Sequence, residues 1–292
     1  MKPASFDYHR PQTVEDALGL LARFGETAKP IAGGQSLGPM LNMRLARPRH
    51  LVDLNDLVEL DFVRVVDGVL ELGAMTRHQR VATSAEVRRA HPLLAAAAAT
   101  IGHYPIRQRG TLGGSLVHAD PAAQMPLIAV LANARIVIGG VGGMREIAAC
   151  DFFQSVMTVD LRAGEIVTSV RFPVLAPNAG WGFRLFSRRH GDFAMVAVAA
   201  TLALADDGRV ADLKVAVGGV ASVPFRIDLD ASVFAGATPT ASWIEEISAH
   251  VAERIAPEDN ALVPAEYRRE LTEALVRDGI KDALRNTQVE AA

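Results

Sequence analysis

Apolar positions recur at helical spacing in the first part of this chain and alternate with polar positions further on. Apolar residues three or four apart at 14–21, behind the capping residue Thr13, predict a helix. Short apolar runs at 29–32 and 51–54 are typical of buried strands. Helices that alternate with strands predict a small parallel sheet near the N-terminus.

An alternating pattern follows and favours antiparallel strands. Two such runs, at 62–66 and 69–72, flank the dipeptide Asp67-Gly68 and predict a β-hairpin with a two-residue turn. Asp120, which stands before a proline, is expected to begin a helix. Further strands are expected at residues 134–138 and 165–172.

Strands come first and helices last in the remainder of the chain. A segment with prolines and a glycine at 173–180 is the expected domain boundary. Strands are expected beyond it at residues 181–186, 193–204 and 213–220, and helices from residue 242 and at 265–284. This order predicts an α+β fold, with a small C-terminal domain made of an antiparallel sheet and helices.

Composition narrows the class of protein. Half of the 292 residues are hydrophobic, the formal net charge is −3 and aromatic residues make up 5%. These values favour a large buried core and argue against a nucleic-acid surface. Cys150 is the single cysteine, so the chain cannot by itself supply a cysteine-based zinc or iron–sulfur site. We expect a reduced, cytoplasmic protein without a signal peptide or a membrane span.

Two glycine-rich stretches carry the candidate chemistry. The first, residues 32–37, follows a predicted strand and places Ser36 where a helix could begin. The second, residues 110–115, repeats this pattern. Glycines let the backbone approach a ligand closely, and amide groups at a helix N-terminus attract anions. Together the stretches predict two loops that hold a diphosphate from both sides.

Other interpretations of the first stretch are open at this point. Residues 34–38 match the pattern G-x-S-x-G, so a serine hydrolase would use Ser36 with a later histidine such as His118, His190 or His250. The glycines could equally form a tight turn without a ligand. Neither stretch matches the P-loop or the Rossmann pattern G-x-G-x-x-G, which argues against those nucleotide sites.

Both stretches resemble those of the FAD-binding medium subunit of the molybdenum hydroxylases, a family that includes flavoprotein subunits of carbon monoxide dehydrogenase and xanthine dehydrogenase. The likeness lies in Ala32-Gly33-Gly34-Gln35-Ser36-Leu37, in residues 107–115 and 119–123, and in Gly191-Asp192-Phe193-Ala194. It implies a two-part FAD-binding domain of the p-cresol methylhydroxylase type at 1–176, with subdomains at about 1–56 and 57–176. A C-terminal domain of the carbon monoxide dehydrogenase flavoprotein type would occupy 177–292.

The resemblance also implies which residues bind FAD, and it implies no catalytic side chain, because the flavin carries the redox chemistry. Ser115, Gln124 and Arg184 stand where asparagine, an acid and lysine are frequent in the family. Arg184 would lie near the flavin ring, and Phe193 in front of it, where it could gate access. The implied FAD-binding residues are Ile31, Ala32, Gly33, Gly34, Gln35, Ser36, Leu37, Ile101, Thr111, Gly113, Gly114, Ser115, Asp120, Gln124, Val167, Arg184 and Phe193.

The function that the resemblance implies is electron transfer in a multisubunit molybdenum hydroxylase. Electrons would pass from [2Fe–2S] clusters of a small iron–sulfur subunit through FAD to an external electron acceptor. A large partner subunit would hold the molybdenum cofactor, and the complex is expected to be a dimer of heterotrimers. No metal site is expected in this chain. A stand-alone FAD-dependent oxidase or dehydrogenase of the same fold and a non-catalytic assembly protein are the alternatives.

Overall fold

Three units of mixed helix and sheet follow one another along the chain. The computed structural model describes residues 1–227, 229, 235–259 and 263–288. The first unit contains β1 (Asp7–His9), α1 (Val14–Phe24), β2 (Ala28–Ile31), α2 (Leu37–Asn42) and β3 (His50–Asp53). Its strands form a parallel sheet in the order β1-β3-β2, which confirms the sheet predicted from the alternation of helix and strand.

Local signals in the sequence set the two ends of α1. The hydroxyl of Thr13 accepts a hydrogen bond from the amide of Asp16 at 3.1 Å. Gly25 ends the helix with a positive φ of 52°. Leu18 and Leu21 lie on the buried face and join a small core beneath the parallel sheet. The helix therefore begins where the capping residue Thr13 predicts.

The second unit is a five-stranded antiparallel sheet with helices packed against it. Its elements are β4 (Val63–Val66), β5 (Val69–Gly73), α3 (His78–Thr83), α4 (Ala85–Ala90), α5 (Pro92–Ala99), α6 (Tyr104–Arg109), α7 (Leu112–His118), α8 (Gln124–Leu131), β6 (Arg135–Gly140), β7 (Gly143–Ala148), α9 (Ala149–Phe152), β8 (Phe153–Ser155), β9 (Thr158–Val159) and β10 (Ile166–Pro173). The sheet has the order β4-β5-β10-β6-β7, and β8 pairs with β9 separately. The turn residues Asp67 and Gly68 have φ of 50° and 75°, which confirms the predicted two-residue hairpin.

Asp120 does not begin a helix, so that prediction was wrong. Its carboxylate accepts a hydrogen bond from the amide of Ala122 at 2.8 Å and closes a turn. Helix α8 begins only at Gln124, with Ala123 as its N-cap. A side chain that bonds the amide two residues on gives the backbone an alternative to the first turn of a helix.

The third unit is an antiparallel sheet covered by two helices. Its elements are β11 (Ala179–Phe186), β12 (Val196–Leu204), β13 (Val210–Gly218), β14 (Phe225–Ile227), α10 (Ala241–Glu253) and α11 (Ala265–Gln288). Helix α11 approaches β11 closely: a Cβ on Gly180 would lie 1.9 Å from the carbonyl oxygen of Ala283, and one on Gly182 would lie 2.0 Å from that of Gly279. The strands-then-helices order confirms the predicted α+β class.

None of the helices in the described parts of the chain is long and apolar enough to cross a membrane. Within the same residues, no group of three or more histidine, cysteine, aspartate or glutamate side chains could hold a metal ion.

Candidate functional site

The two glycine-rich stretches meet in the structure and border one cavity. We call residues 32–37 the first glycine loop and residues 110–115 the second glycine loop. Gly33 lies directly against the chain that enters the second loop, because a Cβ on Gly33 would stand 2.2 Å from the carbonyl oxygen of Arg109. Only glycine fits there without moving the backbone, and its presence lets the loops touch.

The first glycine loop has unused backbone donors. Among the described residues, no hydrogen bond involves the amides of Gly34, Gln35, Ser36 or Leu37. All four residues line the cavity. Gly34 has a φ of 69°, in the left-handed region, and successive amides around such a turn form a concavity that binds anions. This loop therefore carries the donors that a phosphate group requires.

Ser36 precedes α2 but does not cap it with its side chain. Its backbone is helical rather than extended, with φ of −100° and ψ of −49°, whereas a capping side chain belongs to an extended residue. Within the described residues, Ser36 forms no hydrogen bond with a histidine. The serine–histidine pair of a hydrolase is therefore not formed in this geometry.

The second glycine loop is braced from inside the protein. The hydroxyl of Thr111 accepts a hydrogen bond from the amide of Gly114 at 3.1 Å. The amides of residues 112 and 113 donate to backbone carbonyls of the segment after β5, at 2.9 and 2.8 Å. The first amides of α7 are thus used internally, so the second loop does not repeat the chemistry of the first. The hydroxyl proton of Thr111 is still available for donation.

The cavity has a volume of about 340 Å³, within the range of roughly 300–1,000 Å³ that small-molecule sites occupy. Phe193 enters its wall from the third unit and is 62% exposed. Gln124 is buried at the start of α8, and its side-chain nitrogen donates to the hydroxyl of Thr100 at 3.4 Å. The predicted residues that line the cavity are Ala32, Gly33, Gly34, Gln35, Ser36, Leu37, Ile101, Thr111, Gly113, Gly114, Ser115, Asp120, Gln124, Val167 and Phe193.

Two of the predicted residues lie outside the cavity wall. Ile31 ends β2 and packs behind the first glycine loop, 3.4 Å from where a Cβ on Gly34 would stand. Arg184 forms an ion pair with Asp282 of α11, with its Nε 2.6 Å from Oδ2, and this pair raises the pKa of the guanidinium. Arg184 lies on the same face of β11 as Gly182, which packs against α11. Arg184 thus contacts α11 rather than the cavity wall, and its expected place near the flavin ring stays a prediction.

His78 lines the cavity and was missed by sequence reasoning. It is 4% exposed, and its Nδ1 has no hydrogen-bond partner among the described residues. Burial, and then the charges of Arg77 and Arg107, lowers the pKa of His78 to about 4, so the imidazole is neutral near pH 7. Its backbone amide donates to the carbonyl of Gly110 at 3.0 Å. No local signal marks His78, because long-range pairing with the second loop places it there.

Two protein-family models match this chain and together cover most of it. Residues 4–175 match the model of the family described as the FAD binding domain in molybdopterin dehydrogenase. Residues 181–283 match the CO dehydrogenase flavoprotein C-terminal domain. The chain belongs to the flavoprotein medium subunits of the molybdenum hydroxylases. It is therefore an oxidoreductase subunit with an FAD-binding domain.

Known members of this flavoprotein family match along nearly their whole length. The 6-hydroxypseudooxynicotine dehydrogenase complex subunit alpha of Paenarthrobacter nicotinovorans is 36% identical over 284 residues, which are 97% of this chain and 96% of that protein. The carbon monoxide dehydrogenase medium chain of Afipia carboxidovorans is 32% identical, over 97% and 98% respectively. Quinoline 2-oxidoreductase from Pseudomonas putida 86 superposes with a TM-score of 0.93 at 32% identity, covering 100% of both chains.

The observed donor set fits FAD. The unpaired amides at 34–37 and the free hydroxyl proton of Thr111 suit a diphosphate, whose oxygens accept hydrogen bonds. Close contact at Gly33 brings the two loops together at the border of the cavity. Apolar walls that include Ile101 and Val167 suit an aromatic ring system.

Proposed function

We propose that this flavoprotein is the electron-transfer subunit of a multisubunit molybdenum hydroxylase, between iron–sulfur clusters of a small partner subunit and an external acceptor. One observation carries the proposal: among the described residues the amides at 34–37 have no hydrogen-bond partner, and both glycine loops border one cavity. Bound FAD would supply two-electron redox chemistry. The residues of this chain would hold and orient it.

The proposed roles follow from what each group can donate or bury. The amides at 34–37 and the hydroxyl of Thr111 would hold the diphosphate. Gln124, which both donates and accepts hydrogen bonds, would contact a ribityl or ribose hydroxyl. Ile101 and Val167 would pack against ring surfaces. Phe193, exposed at the outer wall, would control how closely an acceptor approaches the flavin ring.

The other redox groups would belong to partner subunits. This chain has one cysteine, whereas a [2Fe–2S] cluster commonly requires four cysteine ligands. We therefore place the clusters in a small subunit and the molybdenum cofactor in a large subunit, within a dimer of heterotrimers in the cytoplasm. The names of relatives mention 6-hydroxypseudooxynicotine, carbon monoxide and quinoline, although the fold is shared. We infer that the large subunit determines the substrate specificity of the complex.

Purification of the native complex, with flavin, iron and molybdenum measured, tests the proposal. The expected result is one FAD per chain, with iron and molybdenum in subunits that co-purify. FAD without a partner, together with turnover of substrate and acceptor by this chain alone, would instead support the stand-alone oxidase or dehydrogenase. A colourless chain that FAD cannot reconstitute would support an assembly protein. Ester hydrolysis that Ser36→Ala abolishes would support the hydrolase.

A further inference from the structure

Asn55 and Arg77 connect the two glycine loops from behind the cavity. Asn55 follows β3, and its Nδ2 donates to the carbonyl oxygen of Ala32 at 2.9 Å. Arg77 precedes α3, and its Nη2 donates to Oδ1 of Asn55 at 2.7 Å. Its Nη1 donates to the carbonyl oxygen of Arg109, next to the second loop. A continuous chain of hydrogen bonds therefore runs from one loop to the other.

Both side chains of this connection extend from backbone that is itself held in place. The backbone amide of Asn55 donates to the buried carboxylate of Asp53 at 3.0 Å, and the hydroxyl of Tyr8 donates to the same carboxylate. On the other side, the backbone of Arg77 pairs with that of Thr111 in an antiparallel bridge. The connection is therefore anchored in the parallel sheet at one end and in the second loop at the other.

The carbonyl oxygen of Arg109 receives two contacts that bear on the loop spacing. Nη1 of Arg77 donates to it, and the α-carbon of Gly33 packs against it. A guanidinium can hold two acceptors in different directions because its donors form a rigid planar fork. A lysine ammonium has no such fork and cannot hold the same pair in the same geometry. Neither Asn55 nor Arg77 belongs to the cavity lining, so both act on a ligand through the loops.

We propose that Asn55 and Arg77 are positioning residues that set the spacing of the two glycine loops and, through it, the affinity for the diphosphate of the cofactor. The inference rests on the proposed binding of FAD in this cavity. Hydrogen-bond donors that are already in place bind a ligand more tightly than donors that must first be ordered. Loss of the connection leaves the amides at 34–37 and the hydroxyl of Thr111 without a defined separation.

Titration of the full chain with FAD, followed by quenching of flavin fluorescence, tests this role. Asn55→Ala and Arg77→Ala are each expected to weaken FAD binding about tenfold, which corresponds to about 1.4 kcal/mol. The double variant is expected to bind FAD as each single variant does, because either change breaks the same connection. Fully additive losses would show that the two residues act independently and would overturn the proposal.

Two further variants separate positioning from charge and from general destabilisation. Arg77→Lys keeps the positive charge but loses the fork, so it is expected to bind FAD as weakly as Arg77→Ala. Wild-type affinity in Arg77→Lys would mean that charge alone matters and would overturn the proposal. Arg80→Ala is the matched control: Arg80 lies in α3, three residues after Arg77, and its loss removes a half-exposed ion pair with Asp61. This variant is expected to leave FAD affinity unchanged.

Unfolding midpoints of the apoproteins show whether each variant is folded at the titration temperature. If Arg77→Ala does not fold, the FAD affinities of Asn55→Ala and Arg77→Lys are compared with that of the wild type instead. Wild-type protein that does not bind FAD would refute the proposed function itself. Wild-type protein that binds FAD, together with folded variants that bind it equally well, would refute only the positioning role.

Discussion

Replacement of Gly33 by alanine should force the two glycine loops apart and weaken FAD binding. The added Cβ would stand 2.2 Å from the carbonyl oxygen of Arg109 and 2.8 Å from the α-carbon of Gly110. Ordinary van der Waals contact of a Cβ begins at 3.4 Å. The two backbones must therefore separate by about 1 Å, since neither atom belongs to a flexible side chain.

The size of the effect follows from this displacement. Overpacking of a tightly packed contact costs about 1–3 kcal/mol, which would lower the unfolding midpoint of a domain of this size by roughly 5 °C. A shift of about 1 Å also moves the donors of one loop away from those of the other, and hydrogen bonds weaken steeply when stretched by that much. We expect FAD affinity to fall at least tenfold, or about 1.4 kcal/mol.

Gly38→Ala is the matched control for this substitution. Gly38 lies in α2, and a Cβ there would meet nothing within 4 Å. Alanine should therefore be tolerated, and helix propensity favours it by up to about 1 kcal/mol. Both variants should be titrated with FAD by fluorescence quenching, alongside thermal unfolding of the apoproteins. Gly33→Ala protein that binds FAD as tightly as Gly38→Ala would refute the claim that the loops hold the cofactor at a spacing set by this contact.

Three further predictions concern the pH dependence of stability, the cap of α7 and the role of Arg184. Burial is the main cause that holds the pKa of both His78 and His91 at about 4, below the ordinary 6.5, so the unfolded chain takes up protons that the folded protein resists. The free energy of unfolding should consequently fall as the pH drops from 6.5 to about 4, by up to about 3 kcal/mol per histidine. Urea unfolding that gives the same free energy throughout this pH range would contradict the prediction. Thr111→Val should cost about 1 kcal/mol of apoprotein stability because it removes the cap of α7, whereas Thr111→Ser should restore it, both read by thermal unfolding. Arg184→Ala should leave the flavin reduction potential unchanged in a spectroelectrochemical titration, because Arg184 pairs with Asp282 and does not line the cavity. A shifted potential would show that Arg184 acts on the flavin.

Most of the candidate site could be predicted because its motifs are contiguous in sequence. The residues from Ala32 to Leu37 line the cavity as a block, since a loop that follows a strand keeps its members together. Ser36 shows the limit of that reasoning. Its position before α2 was predicted, but its helical backbone conformation, which prevents side-chain capping, depends on how the loop packs.

Sequence by itself determined the local elements and the family. The cap at Thr13, the hairpin turn at Asp67 and the α+β order all rest on signals within a few residues, and such signals survive in any tertiary context that allows the element. The paired glycine motifs predicted a diphosphate site, and the family resemblance that they carry indicated a flavoprotein, because each motif lies within one stretch of chain.

Only the tertiary structure decided how the two loops are held and which donors they offer. Arg77 bonds residues 22 and 32 positions away, and Arg184 bonds a carboxylate 98 positions away, so no local pattern could report either contact. The unpaired amides of the first loop and the internally bonded amides of the second differ for the same reason. The two glycine-rich stretches are similar in sequence but pack against different neighbours. That packing determines which backbone groups can still form a hydrogen bond with a ligand.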